Sequence, residues 1–209
     1  MKAETNKHNT IRIVIVNLKG GVGKTTIATN TAHHYNALLV DLDPQGDAAD
    51  WAKRSGLVRA VHAPNWQDAT DIIDEEPGAV VVDCPPGEGP ALRAALTLAN
   101  IAIVPTKSSA ADLRAIGRMI HLADDAKRVN PDLIVGLILN EAKTFTHAAQ
   151  ETEKDLRKLT ATNFLGTISS RQAIPDALTT GTAIPSGPAR TEFEAVFAKL
   201  NNLLKGVIK

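Results

Sequence analysis

Short apolar runs recur along the 209-residue chain and alternate with longer stretches of helical spacing. Residues 11–17 (IRIVIVN), 37–41 (ALLVD), 79–83 (AVVVD), 101–105 (IAIVP) and 133–140 (LIVGLILN) are apolar nearly throughout rather than at every second position. Strands of a parallel sheet have that pattern, because helices cover both faces. Helical spacing is predicted over 25–35, 89–98 and 110–129, and in the last of these Leu113, Ile116, Ile120 and Ala123 share one face. Beyond Asn140 the pattern predicts a helix over 148–159, a short strand near 164–168, a segment 172–180 and a last helix over 191–208. That last helix carries Phe193, Val196, Phe197, Leu200 and Leu204 as a stripe suited to docking on a sheet. Strands alternating with helices make the fold class α/β: a doubly wound, mainly parallel sheet with helices on both faces. The length fits a single domain, taken as 11–209, after a first ten residues expected to be extended or disordered. Ligands of such folds sit outside the carboxyl ends of the strands.

Charge and composition narrow the partners. Lys+Arg and Asp+Glu are both 23, so no whole-molecule field draws nucleic acid in. DNA binding would need a local patch, or one doubled by dimerisation. Aromatics at 3% argue against a base-stacking platform. With Cys84 as the one cysteine, an intramolecular disulfide and a multi-cysteine metal site are excluded. No apolar run approaches the ~18–20 residues of a membrane span. The opening MKAETNKHNT lacks the apolar core of a signal peptide, so a cytoplasmic location is expected.

The chemistry is concentrated between the first strand and the first helix, in Lys19-Gly20-Gly21-Val22-Gly23-Lys24-Thr25-Thr26. Glycines there let backbone N–H groups converge on phosphate oxygens, and the helix N-terminus adds positive charge at the same spot. Lys24 can reach the β- and γ-phosphates, the Thr25 hydroxyl can ligate Mg²⁺, and Thr26 can hold the α-phosphate. Two acidic strand ends follow. Val80-Val81-Val82-Asp83 would place Asp83 on the Mg²⁺, and the Pro-Pro-Gly after Cys84 would bring the Gly87 backbone near the γ-phosphate. Asp41-Leu42-Asp43-Pro44-Gln45-Gly46 ends the second strand with carboxylates able to orient water and organise a metal shell.

This set resembles the ParA/MinD family of deviant Walker A P-loop ATPases over roughly residues 11–205. The first glycine of the general P-loop pattern is Leu18 here, and Lys19 matches the family's extra lysine. The gap from Lys24 to Asp41 is several residues shorter than is usual in the family. The resemblance implies ATP and Mg²⁺ as cofactors and a homodimer formed on ATP binding, in which Lys19 reaches the partner's nucleotide. It implies that Asp43 positions the attacking water, that Asp41 supports the metal, and that Asn140 and Pro185 flank the adenine. Arg171 lies in a stretch similar to short partition proteins. With Lys199 and Lys205, in a slightly basic final third, it is a candidate DNA contact. The implied function is that of a partition ATPase without an N-terminal helix-turn-helix domain, nucleoid-associated and stimulated by a ParB-like partner, whose ATP dimer holds non-specific DNA and lets go on hydrolysis. Alternatives are a MinD-like or protein-cargo positioning ATPase and, more distantly, a metabolic P-loop ligase. A membrane partner is not expected, because the last helix reads as core.

Overall fold

A computed structural model describes residues 10–206. In chain order the elements are β1 (Arg12–Ile15), α1 (Lys24–Tyr35), β2 (Leu38–Asp41), α2 (Asp47–Ser55), β3 (Ala60–His62), α3 (Trp66–Glu75), β4 (Val80–Asp83) and α4 (Pro90–Leu98). There follow β5 (Ile101–Thr106), α5 (Ala110–Ala126), β6 (Ile134–Ala142), α6 (His147–Lys158), β7 (Asn163–Ser169), α7 (Ala173–Thr180) and α8 (Pro188–Leu204). The strands form one seven-stranded sheet in the order β3-β2-β4-β1-β5-β6-β7, with every pair parallel. The doubly wound fold expected from the apolar runs is therefore the observed one.

Alternate residues of each strand enter opposite cores. Val14 of β1 and Val16 just beyond it pack with Val80, Val82, Leu92 and Ile116 under α3–α6. Ile13 and Ile15 pack with Ile27, Trp51, Val81 and Phe197 under α1, α2, α7 and α8. β1 is central, and the chain leaves it towards β2 on one side while β5 lies on the other. Its carboxyl end is thus the switch point where an open α/β sheet leaves a crevice. The register sets Ile15 and Asp41 each beside Asp83, so the three strand ends that carry the chemistry finish level.

Three elements escape the hydrophobic pattern. β3 is a three-residue edge strand with one neighbour, and its His62 is exposed, so it needs no apolar run. α2 buries only Ala48, Trp51 and Ala52. α3 buries Ala69 and Ile73, and starts where the Asn65 side chain accepts from the Gln67 N–H at 3.0 Å. The last helix begins at Pro188, whose fixed φ suits a first helical position, rather than at 191. It ends at Leu204, short of the expected 208, with Lys205 and Gly206 already in a turn; residues 207 and 208, like residues 1–9 of the segment expected to be extended or disordered, fall outside the described residues. Among the described residues, no helix is long and apolar enough to cross a membrane.

Candidate functional site

The loop from Asn17 to Gly23 is shaped by side chains beneath it. Asn17 is buried, gives its amide to the Pro105 carbonyl at 2.7 Å and accepts from the Lys19 N–H at 3.0 Å. The Gly87 N–H donates to the Leu18 carbonyl at 3.0 Å, tying the loop after β4 to this one. At Gly23 φ is +92°, and an added Cβ would lie 2.1 Å from Asn140 Nδ2. That amide donates to the Val22 carbonyl at 2.9 Å, so Asn140 is a strut under the loop. Gly23→Ala should therefore cost about 1–3 kcal/mol in backbone strain alone, with the steric overlap in addition. We expect a melting temperature lower by several degrees and no stabilisation by Mg-ATP, read by thermal shift.

α1 starts at Lys24 on Gly23 with no side-chain cap, so its first N–H groups and its dipole face the loop. Lys24 is buried at 7% exposure, and its Nζ reaches only the Lys19 carbonyl, at 3.2 Å. Burial lowers its pKa, against the pull of Asp83 and Asp43. Next to it, the Thr25 hydroxyl donates to Asp83 Oδ2 at 2.8 Å. Asp83 Oδ1 is buried and has no hydrogen-bond partner. Burial raises the Asp83 pKa to about 7; nearby Asp41 and Asp43 push the same way, and the Thr25 hydrogen bond and Lys24 oppose. A buried carboxylate with one orphaned oxygen beside a threonine hydroxyl fits a divalent cation, whose charge would reverse that penalty. The buried ammonium and the bare helix N-terminus fit phosphate. The residues present therefore suit Mg²⁺ and a polyphosphate together.

Asp41 and Asp43 divide differently from their equal look in the sequence. Asp41 is fully buried, and its two oxygens accept from the Asp43 and Ala49 N–H groups, each at 3.0 Å. Burial raises its pKa and these backbone bonds work against that. Asp41 thus braces the turn into α2. Asp43 stands half-buried on the turn, with Oδ1 accepting from the Gln45 N–H at 3.1 Å. His62, whose Nε2 lies 2.9 Å from the Asp43 carbonyl oxygen, supports the turn from β3. That role could not be read without first finding the edge strand.

A cleft of 330 Å³ opens beside Thr26 and is walled by Asn140, Glu141, Arg171, Gln172 and Pro175. Its position next to the first helical turn suits a base attached to phosphates in the loop. Pro185 is exposed and is not part of this wall; the neighbouring Ile184 lines a separate 430 Å³ cavity with His33, His34 and Phe193. The cleft's proline is Pro175. Glu141 holds φ +51° beside the shift in the β6–β7 register and pairs with Lys107 at 2.6 Å, a local feature no sequence signal marks.

The three basic candidates do not come together. Arg171 Nη2 donates to Glu192 Oε1 at 2.8 Å, past the carboxyl end of β7. Lys199 lies over the Phe164 ring, 5.7 Å from its centroid, near the start of that strand. Seven residues of strand at ~3.3 Å each separate the two ends by about 20 Å. Lys205 caps α8 and approaches the Asn202 side chain at 3.4 Å.

With this geometry in view, the chain matches the sequence profile of the CobQ/CobB/MinD/ParA nucleotide binding domain over residues 13–184. It is 28% identical over 208 residues to the "maintenance of carboxysome distribution protein A" of Halothiobacillus neapolitanus, covering 94% of this chain and 95% of that one. It is 30% identical over 187 residues to the chromosome-partitioning ATPase Soj of Thermus thermophilus, covering 70% and 75%. An ATP complex of a Cyanothece McdA variant superposes with a TM-score of 0.71 at 15% identity, covering 93% of this chain and 96% of that one, which is a likeness of fold.

Proposed function

The chain belongs to the CobQ/CobB/MinD/ParA nucleotide-binding family, and from that premise we propose that it is an ATP- and Mg²⁺-dependent partition ATPase whose nucleotide state switches its hold on DNA. The observation that carries this reading is the group of buried Lys24, half-buried Thr25 and the half-satisfied, buried Asp83 at the bare start of α1. Lys24 would leave the Lys19 carbonyl for the phosphates. Thr25 and Asp83 would hold Mg²⁺, which supplies charge neutralisation at the β- and γ-oxygens. Asp43, on its braced turn, would orient the attacking water. Lys19, 43% exposed, would be delivered from one subunit to the nucleotide of its twin, as arginine fingers are. Loss of those contacts on hydrolysis would part the dimer and release the surface it holds.

Chromosomal or plasmid DNA is the cargo this reading favours, supported by the similarity to Soj, with a ParB-like protein as stimulating partner and the nucleoid as the site of action. A protein cargo is the second reading, favoured by the near full-length match to the carboxysome distribution protein. The apolar face of α8 does not favour a membrane: Phe193, Val196, Phe197 and Leu200 are buried in the core.

Co-sedimentation with non-specific DNA tests the scheme. Wild-type protein should bind DNA with Mg-ATP, not with ADP, and leave as ATP is consumed. Asp43→Ala should hydrolyse at least ~10²-fold more slowly and stay on the DNA. Wild-type turnover by that variant would remove Asp43 from the chemistry. DNA binding indifferent to the nucleotide would remove DNA as the switched surface and leave the protein-cargo reading, checked by following microcompartment spacing in a deletion strain.

A further inference from the structure

We infer that Asp112 is a positioning residue that latches Lys19 to its own chain, so that each subunit must release this ion pair before it can close on a second copy. The inference rests on the reading of Lys19 as a group that acts across the dimer. Lys19 Nζ lies 2.5 Å from Asp112 Oδ1, and Asp112 is only 2% exposed. The lysine that should serve a twin molecule is turned towards its own α5 instead.

Asp112 is a fixed anion. It stands three residues into α5 after Ser109, and the two make a reciprocal cap: the Asp112 N–H donates to Ser109 Oγ at 3.2 Å, and the Ser109 N–H donates to Asp112 Oδ2 at 3.2 Å. The cap uses Oδ2 and leaves Oδ1 to Lys19. Burial would raise the carboxyl's pKa, but Lys19 and Ser109 outweigh it and hold it below the ordinary range. A neutral amide at 112 could accept the same capping bond, so the negative charge has work beyond the cap.

Lys19 is fixed at its backbone as well. Its N–H is held by Asn17 Oδ1 at 3.0 Å and its carbonyl accepts from Lys24 Nζ at 3.2 Å. Only its side chain is free to turn; its ammonium has three donors, but one is held 2.5 Å from a carboxylate buried in its own chain, so reaching across to a second subunit means giving up that place. The same carbonyl links the latch to loading: when phosphate draws Lys24 away, the Lys19 backbone loses one of those two hydrogen bonds. Nucleotide therefore loads first, the latch loosens, and closure follows. A charge-assisted hydrogen bond of this kind, discounted because the ammonium is partly exposed, opposes closure about tenfold per subunit and roughly a hundredfold for a symmetric pair.

The test compares the full-length wild type with Asp112→Asn, which keeps an oxygen for the cap, and Ser109→Ala, which weakens the cap but spares the pair. Three quantities are read: binding of a fluorescent Mg-ATP analogue at monomeric concentrations, the dimer dissociation constant with a non-hydrolysable analogue by light scattering, and the acylation rate of Lys19 by an N-hydroxysuccinimide ester without nucleotide. Asp112→Asn should bind nucleotide within about twofold of wild type, tighten the dimer roughly a hundredfold and expose Lys19 to acylation about tenfold faster. Ser109→Ala should lower the melting temperature and move none of the three. If wild type dimerises and Asp112→Asn dimerises equally or more weakly, the latch is overturned while the dimer reading stands. Unchanged acylation in Asp112→Asn overturns it also. If Lys19 is freed yet neither protein dimerises, the reading of Lys19 as a group acting across a dimer fails, and the latch with it.

Discussion

Lys24→Ala is expected to lose Mg-ATP binding by about 10³-fold, a drop from micromolar to millimolar affinity. Lys24 is 7% exposed, and its ammonium meets a single carbonyl oxygen. Phosphate oxygens would replace that one weak bond with charge-assisted ones, each contributing about 1.5–3 kcal/mol. Among the described residues, Lys19 and Lys107 are already engaged and do not replace it: Lys19 is paired with Asp112, and Lys107 with Glu141. Thermal shift reads the result. At a hundredfold excess over its dissociation constant the ligand adds about 2.7 kcal/mol to the wild type, or roughly 5–10 °C for a chain of this size. The alanine variant should show no such rise at the same ligand concentration. A normal rise would remove Lys24 from the phosphate site and the nucleotide reading with it.

Asp83→Asn should act in two opposite directions. Without ligand, Asp83 is a buried carboxylate with one orphaned oxygen and a pKa near 7, against about 3.8 unfolded. The folded state therefore binds the proton more tightly than the unfolded one, and the resulting stability is complete below pH 4 and lost as pH rises to 7 and beyond. The ceiling is about 4 kcal/mol for three units, and the new amide, itself short of a partner, reduces it to roughly 2 kcal/mol. Nucleotide-free Asp83→Asn should accordingly melt about 5 °C higher than wild type at pH 7.5 and no higher at pH 4. With Mg-ATP the order reverses, because the amide cannot neutralise a divalent cation. Melts of both proteins with ATP plus Mg²⁺ and with ATP plus EDTA separate the terms. A variant that still responded to Mg²⁺ would move the metal away from Asp83.

Local chemistry was the legible part of this site. A P-loop is written in consecutive residues: the glycines, Lys24 and Thr25 must follow one strand and open one helix, and Gly23 to Thr25 occupy that place. Asp83 was legible because its strand is continuously apolar and ends on it. Groups assembled from distant chain were not. Asp112 meets Lys19 across 93 residues, and its short cap motif looks like any helix start. His62 stayed hidden because an edge strand needs no apolar run. Which Ile-Pro pair lines the cleft beside Thr26 was not legible, since only packing distinguishes Pro175, within α7, from Pro185, exposed in the loop after it. The basic candidates show the limit of counting charges: Arg171 is spent on Glu192 and Lys199 on an aromatic face, which a tally of residues cannot reveal.

Cys84 follows Asp83 directly, is wholly enclosed by the apolar layer beneath α4, and has its thiol pushed far towards the protonated form by that enclosure. The thiolate is the form that attacks oxidants and alkylating agents, so the sole sulfhydryl of the chain is shielded from both. Thiol oxidation should therefore leave this nucleotide-binding domain intact, and a thiol label placed elsewhere by substitution will mark one position only.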